Sequence, residues 1–253
     1  MGNIDTRMVC RRFASARDTY DAHACAQQQI CHHLVEILRN AGGMRFPKVL
    51  ELGCGSGGFT RLLLAEGEVT EWTLNDLCEE WFPDLQTLMA QQSWQWLPGD
   101  AEQLEFLGEY NLIVSANALQ WMQDLPRFLT RIRRNMTPDG LLLFNLFSPD
   151  NLPEVRMLTN QGLEYPSIDE LRTMLLRDFS LLRLYTEDIV LTFPTPTDVL
   201  RHLKYTGVTA TASVPWTKGR QLQFCKDYSA LFSDEAGCVK LTYSPVYVLA
   251  MAK

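Results

Sequence analysis

The chain has 253 residues, of which 46% are hydrophobic and 21% are charged, and its formal net charge is −7. This balance is typical of a globular protein with one large domain, and the acidic charge argues against general nucleic-acid binding. The sequence has neither an apolar run long enough to cross a bilayer nor a secretion-signal pattern. We therefore predict a cytoplasmic protein that contacts neither a membrane nor nucleic acid.

The cysteines predict free thiols rather than a disulfide framework. There are seven, an odd number, with no C-x-x-C pair and no regular spacing. Cys31-His32-His33 is the tract most similar to a metal motif, but adjacent residues on a helix point about 100° apart. The other histidines lack metal-ligand spacing with the cysteines, so the sequence predicts no metal site.

Strands alternate with helices in the first two thirds of the chain. Residues 5–13 and about 18–40 read as helices that precede this alternation. The predicted strands then cover 48–52, 69–76, 94–97, 111–116 and 141–147, and the predicted helices between them cover 58–66, 83–92 and 125–136. Such alternation is typical of a parallel sheet with helices on both faces.

The pattern changes after residue 147. We predict a helix over 167–177, a strand over 181–193 and a last strand over 239–251, in which Pro245 favours an edge position or a bulge. The stretch between these strands reads as a helical insertion with helices at 198–205 and 219–231. We expect it to cap the carboxyl ends of the strands, where open α/β sheets bind ligands.

A glycine-rich turn, VLELGCGSGGFT, joins the first predicted strand to the first crossover helix. Gly53, Gly55 and Gly57 fit both the dinucleotide fingerprint and the turn of S-adenosylmethionine enzymes. In either case the free amides of the helix would face a pyrophosphate or an amino-acid carboxylate. The glycines alone therefore leave the ligand open.

Three acids at strand ends favour S-adenosylmethionine. Asp76 ends the second strand, where a carboxylate can accept both ribose hydroxyls in either cofactor class. Glu51 precedes the glycine turn, where a carboxylate suits a cationic amino group or sulfonium and opposes a pyrophosphate. Asp100 follows the third strand, where it can accept from the adenine amino group.

The order of these motifs resembles the class I S-adenosylmethionine-dependent methyltransferases. More narrowly, it resembles the malonyl–acyl carrier protein O-methyltransferases of biotin synthesis. The similar segments are RRFASARDTYDAHACAQQQI (11–30), VLELGCGSGGFT, GDAEQL, SANALQWMQDLP (115–126), LFSPDNLPEVR, LRHLKYTGVTAT (200–211) and LTYSPVYVLA.

The resemblance implies an α/β, Rossmann-like class I methyltransferase fold: a mainly parallel seven-stranded sheet with an antiparallel last strand, helices on both faces and a helical insertion before that strand. It divides the chain into a helical lid (1–43), a cofactor-binding core (44–193), a substrate cap (194–238) and the last core strand (239–253). The implied cofactor residues are Glu51, Gly53, Gly55, Gly57, Asp76, Leu77, Asp100, Ala101 and Ser115. Ala116 stands where a polar residue is common, so the choice among residues 115–117 stays open.

The implied reaction is methyl transfer to the free carboxylate of a malonyl group on acyl carrier protein. A carboxylate is already ionised near neutral pH, so no general base is needed. The candidate catalytic residues are Tyr20 and Lys204, and the candidate substrate residues are Trp121, Arg201 and Arg220, with Arg156 a further cation. An acidic carrier protein needs a local basic patch, at Arg201–Lys204, Lys218–Arg220 or Arg11–Arg12. We expect a monomer.

Three other functions remain open from the sequence. The first is a class I methyltransferase for another carboxylic acid, such as a free tricarboxylate. The second is an NAD-dependent oxidoreductase, against which stand Glu51, Asp100 and the missing second mononucleotide half. The third is a non-catalytic module that keeps the cofactor fold.

Overall fold

The computed structural model describes residues 5–207 and 217–253. The helices are α1 (Thr6–His23), α2 (Cys25–Asn40), α3 (Gly58–Glu66), α4 (Phe82–Leu88), α5 (Leu125–Arg133), α6 (Pro153–Thr159), α7 (Ile168–Leu175), α8 (Pro196–Tyr205) and α9 (Lys218–Phe232). The strands are β1 (Arg45–Leu52), β2 (Glu68–Asp76), β3 (Trp94–Pro98), β4 (Tyr110–Ser115), β5 (Met136–Phe147), β6 (Phe179–Thr186), β7 (Ile189–Phe193), β8 (Val239–Tyr243) and β9 (Pro245–Ala252). Short 3₁₀ turns cover Glu79–Trp81 and Leu119–Trp121.

A seven-stranded sheet forms the centre of the molecule, in the order β3-β2-β1-β4-β5-β9-β6. Strands β1 to β5 pair in parallel, and β9 runs antiparallel between β5 and β6. The prediction of a mainly parallel Rossmann-like sheet with an antiparallel last strand is confirmed. The carboxyl ends of β1, β2 and β4 therefore open at one edge, as the glycine turn requires.

Side chains of alternate residues on the central strands pack into two separate hydrophobic cores, one on each face of the sheet. On β1, Val49 packs with the helices α2 and α3, whereas Leu50 packs with α5 and α7. On β4, Leu112 and Val114 face the first core and Ile113 faces the second. All five side chains are fully buried, which explains why these strands read as continuous apolar runs.

The N-terminal helices differ from their predicted boundaries. Helix α1 is continuous through residues 14–17, and the break between α1 and α2 falls at Ala24. Residues 14–17 contain no glycine or proline, so the helix has no local reason to stop there. Helix α6 was not predicted, and Leu152 enters it in the left-handed conformation.

The predicted strand over 181–193 and the last predicted strand are each two strands. The first divides at Glu187-Asp188 into β6 and β7, and the second divides at Ser244 into β8 and β9. Strands β7 and β8 form their own antiparallel pair. The Ser244 hydroxyl donates to Asp188 at 2.6 Å, which joins the two breaks. The residues on both sides of each break have high β propensity, so the sequence gives no sign that the chain changes sheet there.

The edge or bulge prediction for Pro245 is wrong. Pro245 is the first residue of β9, opposite Phe147, and β9 lies inside the sheet between β5 and β6. A proline at the first position of a strand can be accommodated because the ladder hydrogen bonds begin beyond it.

The insertion before the last strands contains α8 and α9. Residues 208–216, which include the end of the similar segment 200–211, lie outside the described residues. Among the described helices, none combines the length and apolar character that crossing a bilayer requires.

A buried carboxylate fixes α6 against β8. Glu154 is 1% exposed. Its carboxylate accepts from the Thr242 amide at 3.1 Å and from the Thr242 hydroxyl at 2.7 Å. Helix α6 is thereby held beside the carboxyl ends of the sheet.

Replacing Glu154 with alanine leaves two buried Thr242 donors without an acceptor. We expect Glu154→Ala to lower the free energy of unfolding by about 3 kcal/mol. Denaturant titration of Glu154→Ala beside the exposed control Glu164→Ala measures this. Equal stability of the two variants would show that the buried hydrogen bonds contribute nothing.

Candidate active site

The glycine turn after β1 brings its backbone against the loop that follows β4. Gly53 has φ +67°, and a Cβ placed on it would lie 2.2 Å from the Ala118 Cβ. No larger side chain fits there without moving that loop. Gly57, also left-handed, precedes α3, and its Cβ would meet Leu88 at 2.7 Å. Gly53 thus lets the turn approach the loop after β4 beside the cavity. Gly57 lets the turn pack against the leucines of α4.

A cavity of 440 Å³ opens at the carboxyl ends of β1, β2 and β4. It contains most of the predicted cofactor residues. Those that line it are Glu51, Gly53, Gly55, Asp76, Leu77, Asp100 and Ala101. Gly57 and Ser115 do not line it. We call this space the main cavity.

Asp76 organises the turn as well as the cavity. One carboxylate oxygen accepts from the Gly55 amide and the other from the Cys78 amide, both at 2.8 Å. Burial raises the pKa of Asp76 to about 6, while these amides oppose the rise. A carboxylate has about four acceptor sites, so Asp76 can still accept from a hydroxyl of a ligand.

Glu51 lies deeper, at the end of β1. It is 1% exposed and accepts from the Thr60 hydroxyl at 2.7 Å. Burial raises the pKa of Glu51 to about 8, and the nearby carboxylate of Asp76 adds to the rise. A positively charged group in the cavity would compensate this carboxylate directly.

The charge of the main cavity suits a cationic ligand. Its lining includes four carboxylates, Asp21, Glu51, Asp76 and Asp100, against a single arginine, Arg61, among the described residues. A pyrophosphate would meet net repulsion here, whereas a sulfonium and an ammonium group would be attracted. The donor set therefore fits S-adenosylmethionine better than a dinucleotide.

Asn117, and not Ser115, faces the ligand space after β4. Ser115 is fully buried and donates to the Leu52 carbonyl at 2.9 Å, so its side chain braces β1 against β4. Asn117 has φ +59°, its amide donates to Asn145 at 2.8 Å, and Asn145 in turn donates to the Asn117 side chain. This reciprocal pair holds Asn117 in a left-handed conformation at the cavity wall.

Helix α1 covers the main cavity with Val9, Phe13 and Tyr20. Two polar contacts hold it there. Asp21 accepts a hydrogen bond from the Ser56 hydroxyl of the glycine turn at 2.6 Å. Arg17 forms a bidentate ion pair with Asp84 on α4.

A second cavity of 120 Å³ adjoins the main cavity. Five residues line both: Phe13, Tyr20, Gln27, Asn117 and Trp121. The Phe13 ring packs edge-on against Tyr20 at 6.1 Å and Trp121 at 5.9 Å between centroids. We call this set the junction. Arg156 is the one arginine or lysine among the described residues that line the second cavity, and its guanidinium donates to the Leu163 carbonyl at 2.7 Å.

The other predicted cations lie outside both cavities. Lys204 is exposed on α8, and exposed Arg201 pairs with Asp198 at 2.7 Å. Arg220, exposed at the start of α9, lines a separate shallow cavity of 150 Å³ near the end of α6. The structure thus brings Tyr20 and Trp121 to the junction and separates them from Lys204, Arg201 and Arg220.

Comparison with known proteins decides the family. Residues 49–140 match a family model described as a methyltransferase domain. A malonyl-[acyl-carrier protein] O-methyltransferase of Porphyromonas gingivalis is 43% identical over 249 residues, covering 98% of this chain and 96% of the relative. The chain belongs to the malonyl-[acyl-carrier protein] O-methyltransferase family.

A further family member, from Haemophilus ducreyi, is 39% identical over 257 residues, covering 100% of this chain and 99% of the relative. The fold is shared more widely. The N-methyltransferase NodS of Bradyrhizobium japonicum, in complex with S-adenosyl-L-homocysteine, aligns with a TM-score of 0.54 at 13% identity, over 88% of this chain and 85% of NodS. The predicted class I methyltransferase fold is confirmed, and so is membership of the narrower family.

Sequence reasoning missed two residues at the site of this methyltransferase and left two others undecided. Asp21 and Ser56 join α1 to the glycine turn, and their pairing depends on tertiary packing. Asn117 was left open between neighbours, although asparagine is among the residues that tolerate a left-handed conformation. Arg156 was one of several candidate cations for the substrate carboxylate. It differs from the others in lying on α6, which places it at the second cavity.

Asp76 provides the first test of the cofactor site. We expect Asp76→Ala to weaken S-adenosylhomocysteine binding roughly 100-fold, since it removes a buried ionic acceptor. Calorimetry of this variant beside Asp76→Asn and the exposed control Asp169→Ala measures the loss, with thermal unfolding run in parallel. Wild-type affinity in a folded Asp76→Ala protein would contradict the expectation that Asp76 accepts from the ribose hydroxyls.

Glu51 provides a pH test on the ligand-free protein. Its pKa is raised from 4.5 to about 8, so the folded chain retains a proton that the unfolded chain loses. Stability therefore falls as pH rises through this window, and Asp76 adds to the loss below about pH 6.

Thermal unfolding across this pH range should show a shallower decline in Glu51→Gln than in the wild type. Parallel curves for the two proteins would contradict the raised pKa of Glu51.

Proposed function

We propose that this chain transfers a methyl group from S-adenosyl-L-methionine to the free carboxylate of malonyl–acyl carrier protein, giving the methyl ester that primes biotin synthesis. Family membership supports the reaction, and the charge of the main cavity supports the cofactor. The single observation that carries the proposal is the junction: two cavities meet at five shared residues. A donor in one and an acceptor in the other can meet there, out of water.

In this proposal the main cavity holds the cofactor. Asp76 accepts from the ribose hydroxyls, Asp100 from the adenine amino group, and Glu51 offsets the positive charge of the amino-acid end. Leu77 and Ala101 enclose the adenine. Bound S-adenosylmethionine supplies an electrophilic methyl group on a cationic sulfur.

The second cavity then holds the malonyl group. Its walls are largely apolar, and at the junction Tyr20 can donate a hydrogen bond to the carboxylate. Burial raises the pKa of Tyr20, which keeps the phenol protonated and a donor at neutral pH. Such a neutral donor orients the oxygen without holding it as tightly as an arginine pair would. Asn117 and Trp121 complete the alignment of oxygen, carbon and sulfur.

Arg156 is the cation we assign to the acceptor, in place of Arg201 and Lys204. It lines the second cavity, whereas Arg201 is paired with Asp198 and Lys204 faces solvent. Lys204, Arg201 and Arg220 remain candidates for the docking of an acidic carrier protein, as does the pair Arg11–Arg12.

We further propose that residues 1–43 act as a lid and residues 194–238 as a substrate cap over the core formed by 44–193 and 239–253. The contacts of α1 with the glycine turn and with α4 support the lid. Packing of Phe13 on Gly207 and of His23 on Tyr205 links lid and cap, so they can open together. We expect a cytoplasmic monomer that binds neither nucleic acid nor membranes.

Methyl transfer from labelled S-adenosylmethionine tests the reaction. Malonyl–acyl carrier protein, malonyl-coenzyme A, free malonate and free tricarboxylates are offered side by side, and mass spectrometry locates the label. We expect a base-labile methyl ester on the carrier-bound malonyl group. Label found only on a free acid would contradict the proposed substrate, while the assignment of the fold and the cofactor would stand.

Tyr20→Phe separates catalysis from cofactor binding. Loss of the hydroxyl should lower turnover about tenfold, the scale of one hydrogen bond, and leave S-adenosylhomocysteine affinity within about twofold. The matched control is Tyr185→Phe, on β6 outside both cavities. Unchanged turnover in Tyr20→Phe would remove Tyr20 from the catalytic residues.

A further inference from the structure

Cys10 on α1 meets Cys78 and Glu80, which lie far from it in sequence, where α1 crosses the loop after β2. The Cys10 sulfur lies 3.8 Å from the Glu80 Oε2 and 4.0 Å from the Leu77 carbonyl oxygen. One ligand atom from each of Cys10, Cys78 and Glu80 falls within 4.8 Å of the others. We call these three residues the thiol cluster.

The spacing of the thiol cluster matches a tetrahedral zinc ion. With Zn–S bonds of about 2.3 Å and a Zn–O bond of about 2.0 Å, a sulfur lies about 3.5 Å from the oxygen and about 3.8 Å from the second sulfur. The observed Cys10–Glu80 distance is 3.8 Å. The other two separations are within 4.8 Å, so the ligand atoms must draw together by no more than about 1.3 Å to bind the ion.

The surroundings of the thiol cluster leave a path for the ion. Cys78 is buried and lines the main cavity, Cys10 is half-buried and Glu80 is exposed. An ion can enter past Glu80 and take a water molecule as its fourth ligand. Two soft thiolates with one carboxylate favour Zn²⁺ over Mg²⁺ or Ca²⁺, which prefer oxygen ligands.

We propose that Cys10, Cys78 and Glu80 bind a zinc ion that fastens α1 to the loop that follows Asp76. On binding, the two thiols lose their protons to solvent and no electrons are transferred. The bound ion joins the helix that covers the main cavity to the loop that forms its wall. Cofactor release is then slower, a consequence that rests on the proposed function, whereas zinc binding itself does not.

Zinc binding is tested with the metal alone. The full-length protein, kept reduced with a phosphine, competes with a chromophoric chelator for Zn²⁺. We expect one ion per chain. Cys10→Ser and Glu80→Gln should each weaken binding at least tenfold, because losing a ligand costs more than losing an outer-sphere partner, which costs about 10- to 100-fold.

The matched controls are Cys25→Ser and Glu79→Gln, which change an exposed cysteine and the acid next to Glu80. Both should bind zinc as the wild type does. Equal affinity in all five proteins, or a loss in Cys25→Ser alone, would overturn the site. Thermal unfolding of each variant without metal ensures that the comparison is between folded proteins.

The consequence for the lid is measured as the release rate of S-adenosylhomocysteine. We expect zinc to slow release at least tenfold in the wild type, and a chelator to restore the faster rate. In Cys10→Ser, zinc should leave the release rate unchanged. Unchanged release despite zinc binding would overturn the fastening of α1. Release could instead slow only after peroxide treatment, and recover with a thiol reductant but not with a chelator. That result would overturn the zinc site in favour of a Cys10–Cys78 disulfide.

Failure of the zinc proposal and failure of the proposed function are distinguishable. A protein that binds zinc at the thiol cluster but does not bind S-adenosylhomocysteine would contradict the cofactor site alone. A protein that binds S-adenosylhomocysteine and transfers methyl groups but shows no zinc affinity would contradict the thiol cluster alone.

Discussion

Two carboxylates buried at the ends of adjacent parallel strands determine the character of this site. Glu51 and Asp76 lie where water is excluded, and burial raises the pKa of both. Asp76 is partly compensated by the amides of Gly55 and Cys78, which fix the shape of the turn. The partner of Glu51 is the neutral residue Thr60, so a cationic ligand would be its counterion. Cofactor choice therefore follows from buried carboxyl groups whose ionised form a cationic ligand stabilises.

That constraint extends to the elements around it. The glycine turn can approach the loop after β4 only because Gly53 has no side chain, and this loop carries Asn117 to the junction. Helix α1 closes over the same turn through Asp21 and Ser56. The residues that hold the cofactor in our proposal are thus mechanically linked to those that cover it. Moving α1 away from the main cavity requires breaking polar contacts made to the glycine turn itself.

The sequence predicted the parts of the site that depend on local order along the chain. Strand β1, its turn and the acids at strand ends follow from periodicity, glycine spacing and position in an alternating pattern. It could not choose Asn117 over Ser115, because that depends on which side chain a left-handed turn directs into the cavity. It also missed the division of the last strands and the meeting of Cys10 with Cys78. Those features arise from tertiary packing between distant segments.

The most direct test of this account is a crystal structure of the chain with S-adenosylhomocysteine bound. The account predicts that the sulfur atom lies at the junction, beside Tyr20 and Asn117, with the ribose hydroxyls on Asp76 and the amino group towards Glu51. The second cavity should open from the sulfur towards Arg156. A sulfur atom directed away from the junction, or an amino group distant from Glu51, would contradict the central claim.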